Sequence, residues 1–272
     1  MRIAAPLLAL FVLTLPASAA PNNVPAIEGM DKISTYQQGI QALADHLPEL
    51  AVERFQAAYK VSDLTDAQNR EILYRLTESQ VRANQPAKAL ITLNSKFFKN
   101  HPEREFWIAQ SYAAQGKYKK AIEHFKLLDE KSAYLDDATL SLASLQLALQ
   151  QNDDAVKNYL KASKSTNSAT KLKATATLAE IYLESGKLDQ AQRMISGIPE
   201  GERSSLLKLV LNAKSSVSSE NYTDAIDQFS QLFEMEQQLP PRLYQIALIG
   251  LADARHAAGQ TQEASEGLLS FV

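Results

Sequence analysis

An alanine recurs near the start of an apolar helical stretch at Ala51, Ala89, Ala121, Ala155, Ala191, Ala225 and Ala264, each followed four positions later by a bulky or aromatic residue. The intervals are 38, 32, 34, 36, 34 and 39 residues, scattered about the roughly 34-residue period of stacked helix–turn–helix units. Such a unit cannot bury its apolar side alone. Stacking the units buries a continuous core and leaves a curved face. The period therefore predicts helical hairpins in a solenoid, and a chain whose work is binding rather than chemistry.

Composition limits the partner. The chain has 272 residues, 45% hydrophobic and 22% charged, with a formal net charge of -3, values of a folded chain rather than a disordered one. Lys and Arg are mixed with Asp and Glu throughout, so no basic stripe exists to attract a phosphate backbone, and nucleic acid is excluded as the expected partner. Cysteine is absent, which removes disulfides, thiol catalysis and lipidation on an N-terminal cysteine.

Residues 1–19 read as a signal peptide: Arg2 supplies a short positive start, Leu7 to Leu13 an apolar run, and Ala17-Ser18-Ala19 a small-residue cleavage site. The competing reading, an uncleaved anchor, asks more of Ile3 to Leu15 than its length gives, since a bilayer needs about 20 apolar residues. No later stretch is long and apolar enough to span a membrane. The expected address is the bacterial periplasm or another exported compartment. Asn221-Tyr222-Thr223 matches a glycosylation sequon, a triplet common by chance. Residues 20–31, with Pro21, Asn22, Asn23, Pro25 and Gly29, show no sustained period and read as a flexible leader. Residues 32–272 then form the solenoid as one domain.

The clearest unit runs from about Pro102 to Ala133. Ile108, Ala109 and Tyr112 fall on one helix, Gly116 breaks it, and Tyr118, Ala121, Ile122 and Phe125 fall on the next. Small Ala109 and Ala121 let the helices approach, Tyr112 and Phe125 fill the space beside them, and Gly116 can take the left-handed conformation that ends a helix. Breaks between units fall at Ser62-Asp63, Asn100-His101-Pro102, Ser165 to Ser168, Pro199-Glu200-Gly201 and Pro240-Pro241. The final Gly267-Leu268-Leu269-Ser270-Phe271-Val272 is apolar where a terminal repeat needs a polar outer face. It reads as the edge of a longer protein, as the start of further repeats, or as a tail that docks on a partner.

These residues resemble the tetratricopeptide repeat family, whose pattern sets a small residue, an aromatic, then alanine and phenylalanine at those offsets. Gly39, Ala51, Phe55 and Ala58 fit it in the first unit. Leu178, Ala179, Tyr182, Gly186 and Ala191 fit in the fifth, and Ala213, Tyr222, Ala225 and Phe229 in the sixth. The second, fourth and seventh units depart: Thr77 and Gln80, Gln146, and Arg255 stand where the pattern prefers a small or aromatic residue. The resemblance implies an all-α fold, a right-handed α-solenoid of about seven hairpins.

It also implies an inner wall built from the first helix of each hairpin. Projected here, that wall consists of Tyr36, Ile40 and Leu43; Tyr74, Glu78 and Val81; Phe106 and Gln110; Leu140, Ser144 and Leu147; Glu180 and Leu183; Val210, Lys214 and Val217; and Ile249, Asp253 and His256. It is mostly apolar with isolated charges. Relatives that clamp acidic tails of chaperones carry several Lys, Arg and Asn on this wall, a set the projected positions lack. A hydrophobic or amphipathic segment of another protein suits the wall better.

No catalytic signature competes. The four histidines, His46, His101, His124 and His256, lack metal-ligand spacing and read as solvated surface or loop residues, so neither a metal nor a cofactor is expected. The nine glycines form no phosphate-binding cluster, and Gly-x-Ser-x-Gly is absent. Asp136-Asp137 and Asp153-Asp154 sit at helix starts, where they complement the helix dipole. The expected function is a noncatalytic protein-interaction scaffold of the bacterial cell envelope. The alternative is a glycan- or small-ligand-binding accessory module of a larger envelope enzyme or export system.

Overall fold

The computed structural model describes residues 27–234 and 240–269; the signal segment 1–19, most of the leader, residues 235–239 and the last three residues lie outside them. The described residues contain fourteen α-helices and no strand. In chain order these are α1 (Ser34–Ala44), α2 (Pro48–Ala58), α3 (Asp66–Arg82), α4 (Pro86–Leu93), α5 (Arg104–Ala114), α6 (Tyr118–Lys126) and α7 (Leu135–Ala148). They continue with α8 (Asn152–Ala162), α9 (Ser168–Glu184), α10 (Leu188–Ser196), α11 (Glu202–Ser218), α12 (Tyr222–Glu234), α13 (Pro241–Ala257) and α14 (Thr261–Leu269). Each odd-numbered helix opens a hairpin that the next one closes, so the fold is an α-solenoid. All seven anchor alanines are buried, six of them completely, because each sits where its hairpin's two helices touch.

The first helix of each hairpin ends by one device, used seven times. The residue two positions past the last helical turn adopts a positive φ: Gly116 at 70°, Gly186 at 67° and Gly259 at 84°, but also His46 at 58°, Asn84 at 54°, Gln150 at 60° and Glu220 at 59°. In every case the following N–H reaches back five residues, as in Lys117 to the Tyr112 carbonyl or Asn221 to the Ser216 carbonyl, the bond of a Schellman cap. Glycine takes this conformation without strain, whereas an ordinary side chain there costs about 1–2 kcal/mol. Helix starts are equally local. Thr65 and Gln68 form a reciprocal capping box on α3, Asn167 caps α9, and Pro48, Pro86 and Pro241 stand in the first turns of α2, α4 and α13.

Two findings differ from the sequence reading. Residues 27–31 do not lack structure: Gly29 turns left-handed into a short 3₁₀ turn, Met30–Lys32, and Met30 is buried in the core. The apolar Met30 side chain gains more from that core than a free leader would. The chain also divides into two compact units, one ending at Asn158 and one beginning at Tyr159, where a single domain was expected. Within the first, α2 packs on α3, α4 on α5 and α6 on α7; within the second, α10 packs on α11 and α12 on α13. Hairpin follows hairpin in each.

The departures from the aromatic pattern prove systematic. In the third hairpin Tyr112 stacks on His124 of α6, ring centroids 5.4 Å apart. At the matching place the second hairpin hydrogen-bonds Thr92 to Gln80 (2.9 Å), the fourth Asn158 to Gln146 (2.7 Å) and the sixth Ser216 to Gln228 (3.2 Å). Each bond joins residues twelve apart and bridges the two helices of one hairpin. The polar pair replaces the ring.

Candidate functional site

In each unit the first helices of successive hairpins lie side by side, α3 against α5, and α9 and α13 against α11. Their shared face is the inner wall, and side-chain bonds tie it laterally. In the first unit the Tyr36 hydroxyl on α1 donates to Glu71 on α3 at 3.0 Å. The Tyr74 and Tyr134 hydroxyls meet at 2.7 Å, the Ser132 hydroxyl donates to Glu103 at 2.6 Å, and the Gln110 amide donates to Ser141 at 3.4 Å.

The face of α3 carries an ion ladder. Arg75 bonds Glu71 at 2.8 Å and Glu78 at 3.2 Å, and Arg82 bonds Glu78 at 2.8 Å. The Glu78 side chain is 3% exposed and flanked by two guanidinium groups. Burial alone would lower the Arg75 affinity for its proton, but Glu71 and Glu78 outweigh it and hold the group firmly charged. Burial, reinforced by Glu71, raises the Tyr36 phenol; burial likewise raises Tyr74 and Tyr134, so all three stay neutral hydroxyls.

Several projected wall residues belong to the core instead. Phe106 is fully buried, stacked on Tyr134 at 4.3 Å and edge-on to Trp107 at 5.2 Å. Tyr74, Tyr36, Val81, Leu183 and Val210 are buried as well, and so are the polar Glu78 and Gln110. The reason is steric: long side chains on a helix lean over the preceding turn, and the neighbouring hairpin roofs them. Ile40, Leu43, Leu140, Ser144, Leu147, Glu180, Lys214 and Val217 are half-buried, and Ile249, Asp253 and His256 exposed. In the first unit the accessible wall is thus a mixture of aliphatic and ionic groups rather than an apolar strip.

Two of the four histidines differ from the reading as solvated residues, while His46 and His256 are exposed. His101 stacks on Tyr74 at 5.2 Å, and its Nδ1 accepts the Glu103 N–H at 3.1 Å. Burial, then the charge of Arg70, lowers its affinity for a proton. His124 joins Glu105 at 2.6 Å besides its stack on Tyr112. Arg75, Arg82, Trp107 and Tyr134 escaped the sequence projection, although Glu71-x3-Arg75-x2-Glu78-x3-Arg82 has the one-turn charge spacing that pairs along a helix.

Lys214 on α11 bonds Glu180 on α9 at 2.7 Å. Glu184, one turn on, is held above the usual carboxylate range by burial and by Glu180, against the pull of Lys214. Partial burial raises Asp253 on α13, with His256 opposing it.

Residues 105–131, the α5–α6 hairpin and the turn after it, match the tetratricopeptide repeat family. No curated protein matches the chain. Among solved structures, the chain is similar to the TPR2AB domain of yeast Sti1 in its pHSP90 complex, at 16% identity over 88% of this chain and 87% of that one, with a TM-score of 0.35.

Proposed function

We propose that this chain is a tetratricopeptide-repeat protein serving as a noncatalytic scaffold of the bacterial cell envelope, a reading supported by the family match over residues 105–131. In this reading its inner wall holds an amphipathic segment of another protein. The observation that carries the reading is the lateral bonding of the first helices. Tyr36–Glu71, Tyr74–Tyr134 and Gln110–Ser141 fix the wall before any partner arrives. A preformed wall leaves the ordering cost to the partner alone. Half-exposed Leu140 and Leu147 on α7, one pair of turns apart, supply apolar anchors. Export rests on the sequence: Arg2, the Leu7 to Leu13 run and Ala17-Ser18-Ala19 direct cleavage after Ala19.

The test compares retention of envelope proteins by Leu140→Ser/Leu147→Ser and by Lys119→Ala/Lys157→Ala, with helicity verified for each. The wall variant should lose at least tenfold in capture, and the outer-helix variant should stay near wild type. The reverse ranking would place the partner on the second helices. N-terminal sequencing of the envelope fraction should begin at Ala20; a protein that keeps Met1 would contradict the export reading.

A further inference from the structure

The sixth hairpin is small and polar at one place. Where the third and fifth put the rings of Tyr112 and Tyr182, the second and fourth Gln80 and Gln146, the first Ala42 and the seventh Arg255, it has Ser216. The ring's space is left open. A recess of about 220 Å³ lies there, lined by Asn212, Ser215 and Ser216 of α11, Ser219 at its C-cap, Gln192 of α10 and Gln228 of α12. Asn221 of the connecting turn completes it, its amide bonded to Asp224.

Every lining side chain is an uncharged amide or hydroxyl. Ligand pockets are ordinarily apolar with a few polar groups, and this one inverts that composition. The contribution of α11 and its C-cap falls at i, i+3, i+4 and i+7, one face of the helix. Asn and Ser are poor interior helix formers, each costing about half a kcal/mol against alanine, so the face carries a helix penalty that a purely structural role does not require. The lining is also only partly occupied within the protein. The Ser216 hydroxyl donates to the Gln228 carbonyl oxygen, and the Ser219 hydroxyl to its own helix at Ser215. That leaves the Gln228 amide nitrogen as a donor. Among the described residues the amides of Gln192 and Asn212 hold no protein partner.

We propose that this recess is a binding site for an uncharged sugar ring, recognised by amide donors and acceptors around its hydroxyl groups. The chemistry selects the class. A phosphate or carboxylate would find no cation in the lining, an ammonium group no carboxylate, and an apolar ligand would strand several amides without partners. A ring that carries both a donor and an acceptor at each hydroxyl satisfies Asn and Gln on both sides. With no aromatic ring in the lining to stack on, affinity rests on hydrogen bonds exchanged with water, and the dissociation constant is on the order of millimolar. The site is distinct from the inner wall and stands or falls independently of it.

The experiment follows backbone amide shifts of the full mature chain on titration with glucose, N-acetylglucosamine, glucuronate and an uncharged oligosaccharide of glucose. The expected result is a saturable shift confined to residues around 192, 212–221 and 228 with the uncharged sugars, weaker by severalfold with glucuronate. Comparison of the free sugar with the oligosaccharide tells whether a lone ring or a chain end is preferred. Ser216→Tyr restores the ring of the third and fifth hairpins. It should fill the recess, abolish the shifts and leave the melting temperature equal or higher, so loss of binding cannot be loss of fold. Gln228→Leu should weaken binding at least severalfold. No saturable shift with either uncharged sugar, shifts elsewhere in the chain, or shifts that survive in Ser216→Tyr would each overturn the proposal.

Discussion

The inner walls of the two units use one backbone plan with opposite side-chain strategies. The wall of the unit ending at Asn158 is closed along α3 and α5: an ion ladder crosses α3, aromatic rings roof one another from Tyr74 through Trp107 to Tyr134, and Glu78 is nearly sealed from water. Among the described residues, the wall of the unit beginning at Tyr159 shows the lateral ion pair Lys214–Glu180, two carboxylates raised above their usual range, and Ile249 exposed by 48%. Repeats of equal backbone geometry therefore need not share a binding chemistry. Position within the hairpin decides only which direction a side chain faces, and the neighbouring hairpin decides whether solvent reaches it.

The contrast can be broken most sharply at equivalent positions on α5 and α11. Phe106→Ala should destabilise by about 3–5 kcal/mol, the usual loss for an aromatic removed from a sealed core, and Val210→Ala by about 2 kcal/mol. Urea denaturation followed by circular dichroism gives both values. A near-neutral Phe106→Ala would return that ring to the accessible wall and undo the distinction.

The ion pairs come next. Glu78→Gln leaves Arg75 and Arg82 without their shared buried partner and should cost about 3 kcal/mol. Glu180→Gln removes one more accessible pair, worth at most about 1 kcal/mol. Equal losses would mean that the ladder on α3 is no better sealed than the single pair on α11.

Smaller effects should appear with pH, in opposite directions. His101 has a lowered folded-state affinity for protons, so its contribution is present above the ordinary histidine value near 6.5 and is lost as pH falls below it. Glu184 and Asp253 have raised affinities, so the folded state of their unit gains stability as pH falls into the carboxylate range and loses it as pH rises through their elevated values. Hydrogen exchange should thus show α3 to α5 loosening on mild acidification, an effect removed by His101→Phe. Carboxylate protonation should tighten α9 to α13 at lower pH. Both units shifting in the same direction would contradict these assignments.

The smallest expected change is a gain. Glu220 holds φ at 59° where the third, fifth and seventh hairpins use glycine, and Glu220→Gly should stabilise by about 0.5–1 kcal/mol in a thermal melt. A loss would show that the side chain compensates its backbone strain.

Much of the fold was legible because it is written locally. The alanine spacing located seven hairpins, and the anchors are buried; Gly116 takes the left-handed turn expected of it; Asp136-Asp137 and Asp153-Asp154 stand in first turns of α7 and α8. The left-handed caps at His46, Asn84, Gln150 and Glu220 were hidden because their residue types do not announce that conformation. The wall was half legible. Helix phase put Tyr36, Tyr74 and Phe106 on the inner side, but whether a neighbour covers them depends on side chains about thirty residues away, such as Tyr134 over Phe106. His124 looked like a surface histidine because its partners, Glu105 and Tyr112, lie on the other helix of the hairpin.

The central claim is that a partner meets the first helices and not the second. A photo-reactive phenylalanine analogue introduced singly at Ile40, Leu140 and Leu147 on the wall, and at Ile91 and Leu127 on the outer side, tests it in intact cells. Ile91 and Leu127 are the more exposed, at 73% and 67%, so accessibility alone favours the outer positions. Crosslinks to one common protein from the wall positions and none from the outer pair is the predicted result; adducts from Ile91 and Leu127 with a silent wall would contradict it.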